Sequence, residues 1–168
     1  MVLNPNPGLF TRLILYIGLA VFYTYGLIWC LVKRGSVKTT SDVLRVFYYD
    51  FLRLRREQVL IEKLTENELV TVSVNPCPIL RLSLLLRVDT NYSCKLISET
   101  VCKAVLKRFN PKLVFKRDYN YIRPYSSGCR ERIYFENSST QTMEFYEKKK
   151  SSEQLTQSKS EVVQRSLV

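Results

Sequence analysis

The sequence predicts an α+β protein: one N-terminal transmembrane helix, then a small antiparallel-sheet domain with two helices in the order helix-β-β-helix-β-β-β, then a disordered C-terminal tail. Three observations predict it. Residues 13–32 read LILYIGLAVFYTYGLIWCLV with neither charge nor proline. Two later stretches repeat apolar residues at helical spacing, and several short runs alternate apolar and polar residues as half-buried strands do.

The apolar stretch is twenty residues long. As a helix it spans about 30 Å, the thickness of a bilayer's hydrocarbon core, and satisfies its own backbone there. It is longer than the apolar part of a signal peptide and no small-residue cleavage site follows it, so it reads as an uncleaved signal-anchor. Arg12 precedes it, whereas Lys33, Arg34, Lys38, Arg45, Arg53, Arg55 and Arg56 follow. The positive-inside rule then places residues 1–12, a short leader, outside and the C-terminal domain in the cytoplasm. Within the span, Tyr16 and Tyr23 share a helix face, as do Gly18 and Gly26, which suits contact with another membrane protein or self-association through close helix approach. Cys30, one turn before Lys33, is a candidate palmitoylation site.

Residues 33–64 read as a connector and an amphipathic helix starting after Ser41 and running from Asp42 to Leu64. Its apolar side carries Val43, Phe47, Phe51 and Leu54, and with Lys33, Arg34, Arg53, Arg55 and Arg56 it offers cations to anionic lipid. Residues 65–147 read as the basic α+β domain. Val70, Val72 and Val74 mark one strand; Leu80, Leu82, Leu84, Leu86 and Val88 mark a second beyond the Asn75–Pro78 corner. A helix over Ser98–Phe109 stops at Asn110-Pro111, and LVFKRDYNYI, RERIYFE and TMEFYE supply the last strands. Residues 148–168 lack aromatic side chains and are too polar to bury a core.

The chain has 168 residues with a net charge of +11 and no histidine. The missing imidazole removes the commonest general base and zinc ligand, and no nucleophile elbow, phosphate loop or dinucleotide fingerprint is present. The expectation is therefore a non-enzymatic binding or scaffolding module without metal or cofactor. Cys77, Cys94, Cys102 and Cys129 are free thiols in a cytoplasmic domain or two disulfides in a luminal one, and no pair has zinc-knuckle spacing. Asp89, Glu99, Asp118 and Glu131 read as surface ion-pair partners among many cations.

Three other readings compete. A luminal, disulfide-bonded receptor-like or viral accessory glycoprotein would use the sequons at Asn91 and Asn137. An accessory or assembly subunit of an organellar membrane complex suits a basic chain with one anchor. A membrane-tethered single-stranded nucleic-acid binder would use the cations and aromatics of residues 103–132, although no RNA-binding signature accompanies them. The terminal Ser166-Leu167-Val168 fits the pattern read by PDZ domains.

Overall fold

The structure, a computed structural model, describes residues 3–33 and 37–136. Helix α1 covers Leu9–Val32. Helix α2, Thr40–Val43, runs directly into a π-helical segment, Leu44–Phe51. Thr39 starts it with a capping box, its hydroxyl accepting the Asp42 amide while Asp42 accepts the Thr39 amide. Strands β1 (Val59–Leu64) and β2 (Glu68–Ser73) follow as a hairpin. Helix α3 is Pro78–Leu85. Helix α4, Thr90–Ser93, continues through a π-helical segment, Cys94–Glu99, into α5, Thr100–Phe109. Strands β3 (Leu113–Arg117) and β4 (Cys129–Phe135) complete the sheet, antiparallel throughout in the order β1-β2-β4-β3.

Two elements differ from the sequence expectation. The predicted helix 42–64 ends at Phe51, and its last six residues, Val59–Leu64, are strand β1. The chain leaves the helix through Arg53 in the left-handed region (φ 53°), and Val59, Leu60 and Ile61 pair with β2. The predicted strand at Leu80–Val88 is helix α3. Pro78 sits in its first turn, where a missing N–H costs nothing. Ile79, Leu82, Ser83 and Leu86 line up at helical spacing, so the alternating leucines are coincidental. The helix ends in a Schellman motif, with the Val88 amide on the Ser83 carbonyl (2.9 Å), the Arg87 amide on the Leu84 carbonyl (3.2 Å), and Arg87 at φ 54°. The predicted helix 98–109 is the C-terminal half of the longer run that starts at Thr90. The TMEFYE strand and the tail lie outside the described residues.

The inner face of the sheet carries Leu69, Leu113, Phe115 and Ile133, all buried. Val43, Phe47 and Phe51 from the 40–51 helix and Val101, Val105 and Leu106 from α5 join them in one core. Helix α1 packs across the 94–109 run, with Leu19, Phe22, Trp29 and Cys30 against that core. Phe51 is the pivot: its ring lies 5.9 Å from Phe22, 5.6 Å from Tyr25 and 5.1 Å from Trp29. A second core under the N-terminal half of α1 gathers Leu15, Ile79, Val88, Ile97 and Ile122.

Both ends of α1 are held by the domain on which it lies. Before it, the Asn4 amide donates to the Arg87 carbonyl and the Asp89 amide to the Asn4 carbonyl, each at 2.9 Å. After it, Lys33 pairs with Asp50 at 2.9 Å. Only one side of the helix is covered: Phe10, Leu13, Ile17, Val21, Ile28 and Leu31 on the other side are all more than half exposed. By length and apolarity α1 is a helix that could cross a membrane.

Candidate functional site

The antiparallel register sets three polar residues side by side on the otherwise apolar inner face of the sheet. Thr71 of β2 faces Glu131 of β4, which faces Arg117 of β3. Arg117 Nη2 donates to Glu131 Oε1 at 2.5 Å, and the two side chains are only 6% and 5% exposed. Tyr48, from the helix above, donates its hydroxyl to Glu131 Oε2 at 2.9 Å and accepts from Thr71 Oγ1 at 2.7 Å. Burial, reinforced by the neighbouring Glu131 charge, raises the Tyr48 phenol well above its usual range. Burial pulls the Arg117 guanidinium down, but the Glu131 carboxylate outweighs it and Arg117 stays a cation. Glu131 and Arg117 are thus a buried ion pair rather than the surface one that the basic context suggested.

Beside this row lies a cavity of about 600 Å³, within the ordinary range for small-molecule sites. Its floor is Arg117, Cys129 and Glu131 of the sheet, with Cys94, Ser98 and Cys102 of the long helix on one side. Cys77 and the start of α3 form another side, and Gly18, Val21, Phe22 and Tyr25 of α1 border it together with the 51–54 turn. The four domain cysteines, 52 residues apart in sequence from first to last, therefore converge on one space. All are free, and among the described residues no three His, Cys, Asp or Glu side chains stand close enough to hold a metal ion. Burial, opposed by Arg117, pushes the Cys94 and Cys102 thiols up to about 12. Both are protonated near neutrality and act as small apolar wall groups.

Three arginines line the cavity, Arg53, Arg117 and Arg123, against the single carboxylate of Glu131. Arg123 is anchored at Asn75, donating to its backbone carbonyl at 2.5 Å and its Oδ1 at 3.3 Å. The Nε–H groups of Arg117 and Arg123 are both buried without an acceptor. A buried cationic N–H without a partner costs free energy that a matching acceptor would recover. Neither the convergence of the cysteines nor this pair of donors is visible in sequence spacing. The nearest sequence signal is the alternation that puts Arg117, Cys129 and Glu131 on inward positions with Phe115 and Ile133.

The other sequence-predicted residues are placed as follows. Gly26 does serve close helix approach, but within the chain: a Cβ there would stand 2.9 Å from Val105 and 3.3 Å from Val101, whereas one at Gly18 would make an ordinary contact, 3.5 Å from Ile97. Tyr16 and Tyr23 lie on exposed parts of α1, away from the glycine seam, and Cys30 is half-buried against the core. Lys33 is spent on Asp50, Arg53 borders the cavity, Arg55 meets Glu57 at 3.9 Å and Arg56 is exposed. Within the basic series, Arg130 meets Glu62 and Asp118, Arg132 meets Glu68, and Lys103 meets Glu99. Asn91 is half-buried in α4, and Ser93 of its sequon is fully buried, 2.5 Å from the Ser83 hydroxyl. Arg34, Asn137, Ser166, Leu167 and Val168 lie outside the described residues. Comparison with known proteins adds no relative: no protein family, no curated protein and no solved structure matches the chain.

Proposed function

We propose that this chain is a non-enzymatic, membrane-apposed binding module, in which α1 attaches a basic α+β domain to the cytoplasmic face of a bilayer and the cavity beneath α1 receives what is bound. One observation carries the reading: α1 is apolar on two opposite sides and its own domain covers only one. A surface helix of a water-soluble domain places polar residues on its outer side; here Phe10, Leu13, Ile17, Val21, Ile28 and Leu31 stand there. Burying six such side chains in hydrocarbon is worth of order 10 kcal/mol before ordering costs. The seven basic residues from Lys33 to Arg56, against one before the span, support the cytoplasmic side, whose leaflet is anionic, and orient a crossing helix the same way.

The ties at Asn4 and Lys33 favour a helix lying along the membrane surface while docked. The uncharged length of residues 13–32 favours a second reading, a single crossing in which α1 leaves its seat. Flotation of the full chain with phosphatidylcholine and phosphatidylserine vesicles tests the attachment, and recovery of the protein in the lipid-free fraction would refute it. Protease accessibility of an N-terminal epitope in intact microsomes separates the two geometries: cleavage from the cytoplasmic side supports the surface-lying helix, protection the crossing. Protection of the C-terminal domain would overturn the cytoplasmic assignment.

A further inference from the structure

The cavity's chemistry points to an occupant, and this inference rests on the membrane-apposed reading above. We propose that it binds a long-chain monocarboxylate, the head group meeting the arginines of the wall and the chain lying beneath α1. The wall is overwhelmingly apolar, with Phe22, Tyr25, Phe51, Leu54 and Ile79 contributing alongside the thiols. An apolar wall selects an apolar body. Its charge is unbalanced toward the cationic side, and the one carboxylate is already engaged by Arg117 and Tyr48. With Arg117 engaged by Glu131, the wall keeps two arginines, Arg53 and Arg123, that no carboxylate of the described residues pairs with. A carboxylate supplies acceptors matched to guanidinium donors, and such charge-assisted bonds are the strong ones. A neutral alcohol of the same length fills the same volume but leaves the cations unneutralised.

The border of the cavity adds a route. Gly18, Val21 and Tyr25 line it from α1, and Val21 also belongs to the exposed apolar side of that helix. Gly18 adds no side chain of its own to this border. An amphiphile partitioned in the bilayer therefore reaches the cavity without exposing its chain to water.

The test uses the full chain in phosphatidylcholine vesicles with a diazirine-bearing palmitate analogue, photolysed and mapped by mass spectrometry. The expected result is labelling of residues in the 51–54 turn and 77–80, competed by palmitate and at least about tenfold less well by hexadecanol. Arg123→Met should weaken palmitate competition by about tenfold with hexadecanol unaffected, and Leu80→Trp, which fills the space, should abolish the labelling. Circular dichroism of both variants confirms that they fold. Labelling confined to Leu13, Ile17 and Ile28 would overturn the proposal, as would equal competition by acid and alcohol. Presenting the same analogue from cyclodextrin instead of the vesicle separates uptake from water from uptake out of the bilayer; labelling that is faster from cyclodextrin would overturn the membrane route. Vesicle flotation of the same samples keeps the two proposals apart: attachment without cavity labelling sinks the ligand and leaves the module reading, whereas labelling without attachment does the reverse.

Discussion

Replacing Glu131 by leucine isolates the strongest polar commitment in the fold. The carboxylate is 5% exposed and holds the 6% exposed Arg117 guanidinium at 2.5 Å. Glu131→Leu keeps roughly the side-chain volume but leaves a guanidinium in the core without its counter-ion, which costs about 3–5 kcal/mol for a buried pair. The Tyr48 hydroxyl loses its acceptor at 2.9 Å in the same step, a further penalty of about 1–3 kcal/mol when fully counted. The two overlap, because both groups relax into the same space, so the expected loss is about 4 kcal/mol. Against a total stability of about 5–15 kcal/mol that is a large share, and at about 3–5 °C per kcal/mol the melting temperature falls by about 12–20 °C. Thermal unfolding of the full chain followed by near-ultraviolet circular dichroism reads this out. The double variant Glu131→Leu with Arg117→Met removes both charges and should recover about 2–3 kcal/mol, since a buried pair can be exchanged for apolar groups at little net cost. A loss below about 1 kcal/mol for Glu131→Leu, or strict additivity of the two substitutions, would refute the buried-network assignment.

Three further outcomes follow from the same geometry. Arg87→Gly, at the left-handed position that ends α3 (φ 54°), should stabilise the protein by about 1 kcal/mol through relief of backbone strain, seen as a higher urea midpoint at unchanged slope; a lower midpoint would contradict the Schellman assignment. Gly26→Val, whose Cβ meets Val105 at 2.9 Å, should destabilise by about 1–3 kcal/mol by forcing α1 off α5, whereas Gly18→Ala, with its nearest neighbour at 3.5 Å, should stay within about 0.5 kcal/mol. Equal melting of the two variants would argue against the docked seat of α1. At high pH, the tyrosines set the direction: burial and then the facing carboxylates raise the phenols of Tyr48 and Tyr119 above the unfolded value of about 10. Above pH 10 the folded state therefore binds more protons than the unfolded one, and stability falls as pH rises. The Tyr119 hydroxyl donates to the Glu99 carboxylate, so Tyr119→Phe should flatten part of that fall in a series of denaturation curves; an unchanged slope would show that this bond is not made.

Much of the local structure was legible in the chain. An uninterrupted apolar run makes α1, alternation at Val70 and Val72 makes β2, and Asn110-Pro111 stops α5, because each depends on neighbours a few residues away. Short leucine-rich sequence was ambiguous for the same reason. Leu80, Leu82, Leu84 and Leu86 keep a two-residue period while Ile79, Leu82, Ser83 and Leu86 keep a helical one, and Pro78 with the Arg87 terminus decides for the helix. The 59–64 segment has no helix-breaking residue, and only the partner strand Glu68–Ser73, paired from Val59↔Ser73 to Leu64↔Leu69, makes it extended.

Beyond the alternation that turns Arg117, Cys129 and Glu131 inward, the assembly of the candidate site was hidden, because its parts are distant in sequence. Tyr48 reaches Glu131 across 83 positions and Arg123 reaches Asn75 across 48. Composition and periodicity by themselves settled that this is a basic α+β chain with one long apolar helix. Tertiary structure decided which side of that helix is covered, that Arg117 and Glu131 are buried rather than solvated, and that four cysteines and three arginines surround one cavity. The reason is physical: burial and charge pairing are set by which surfaces meet, and no local pattern records a meeting between residues so far apart.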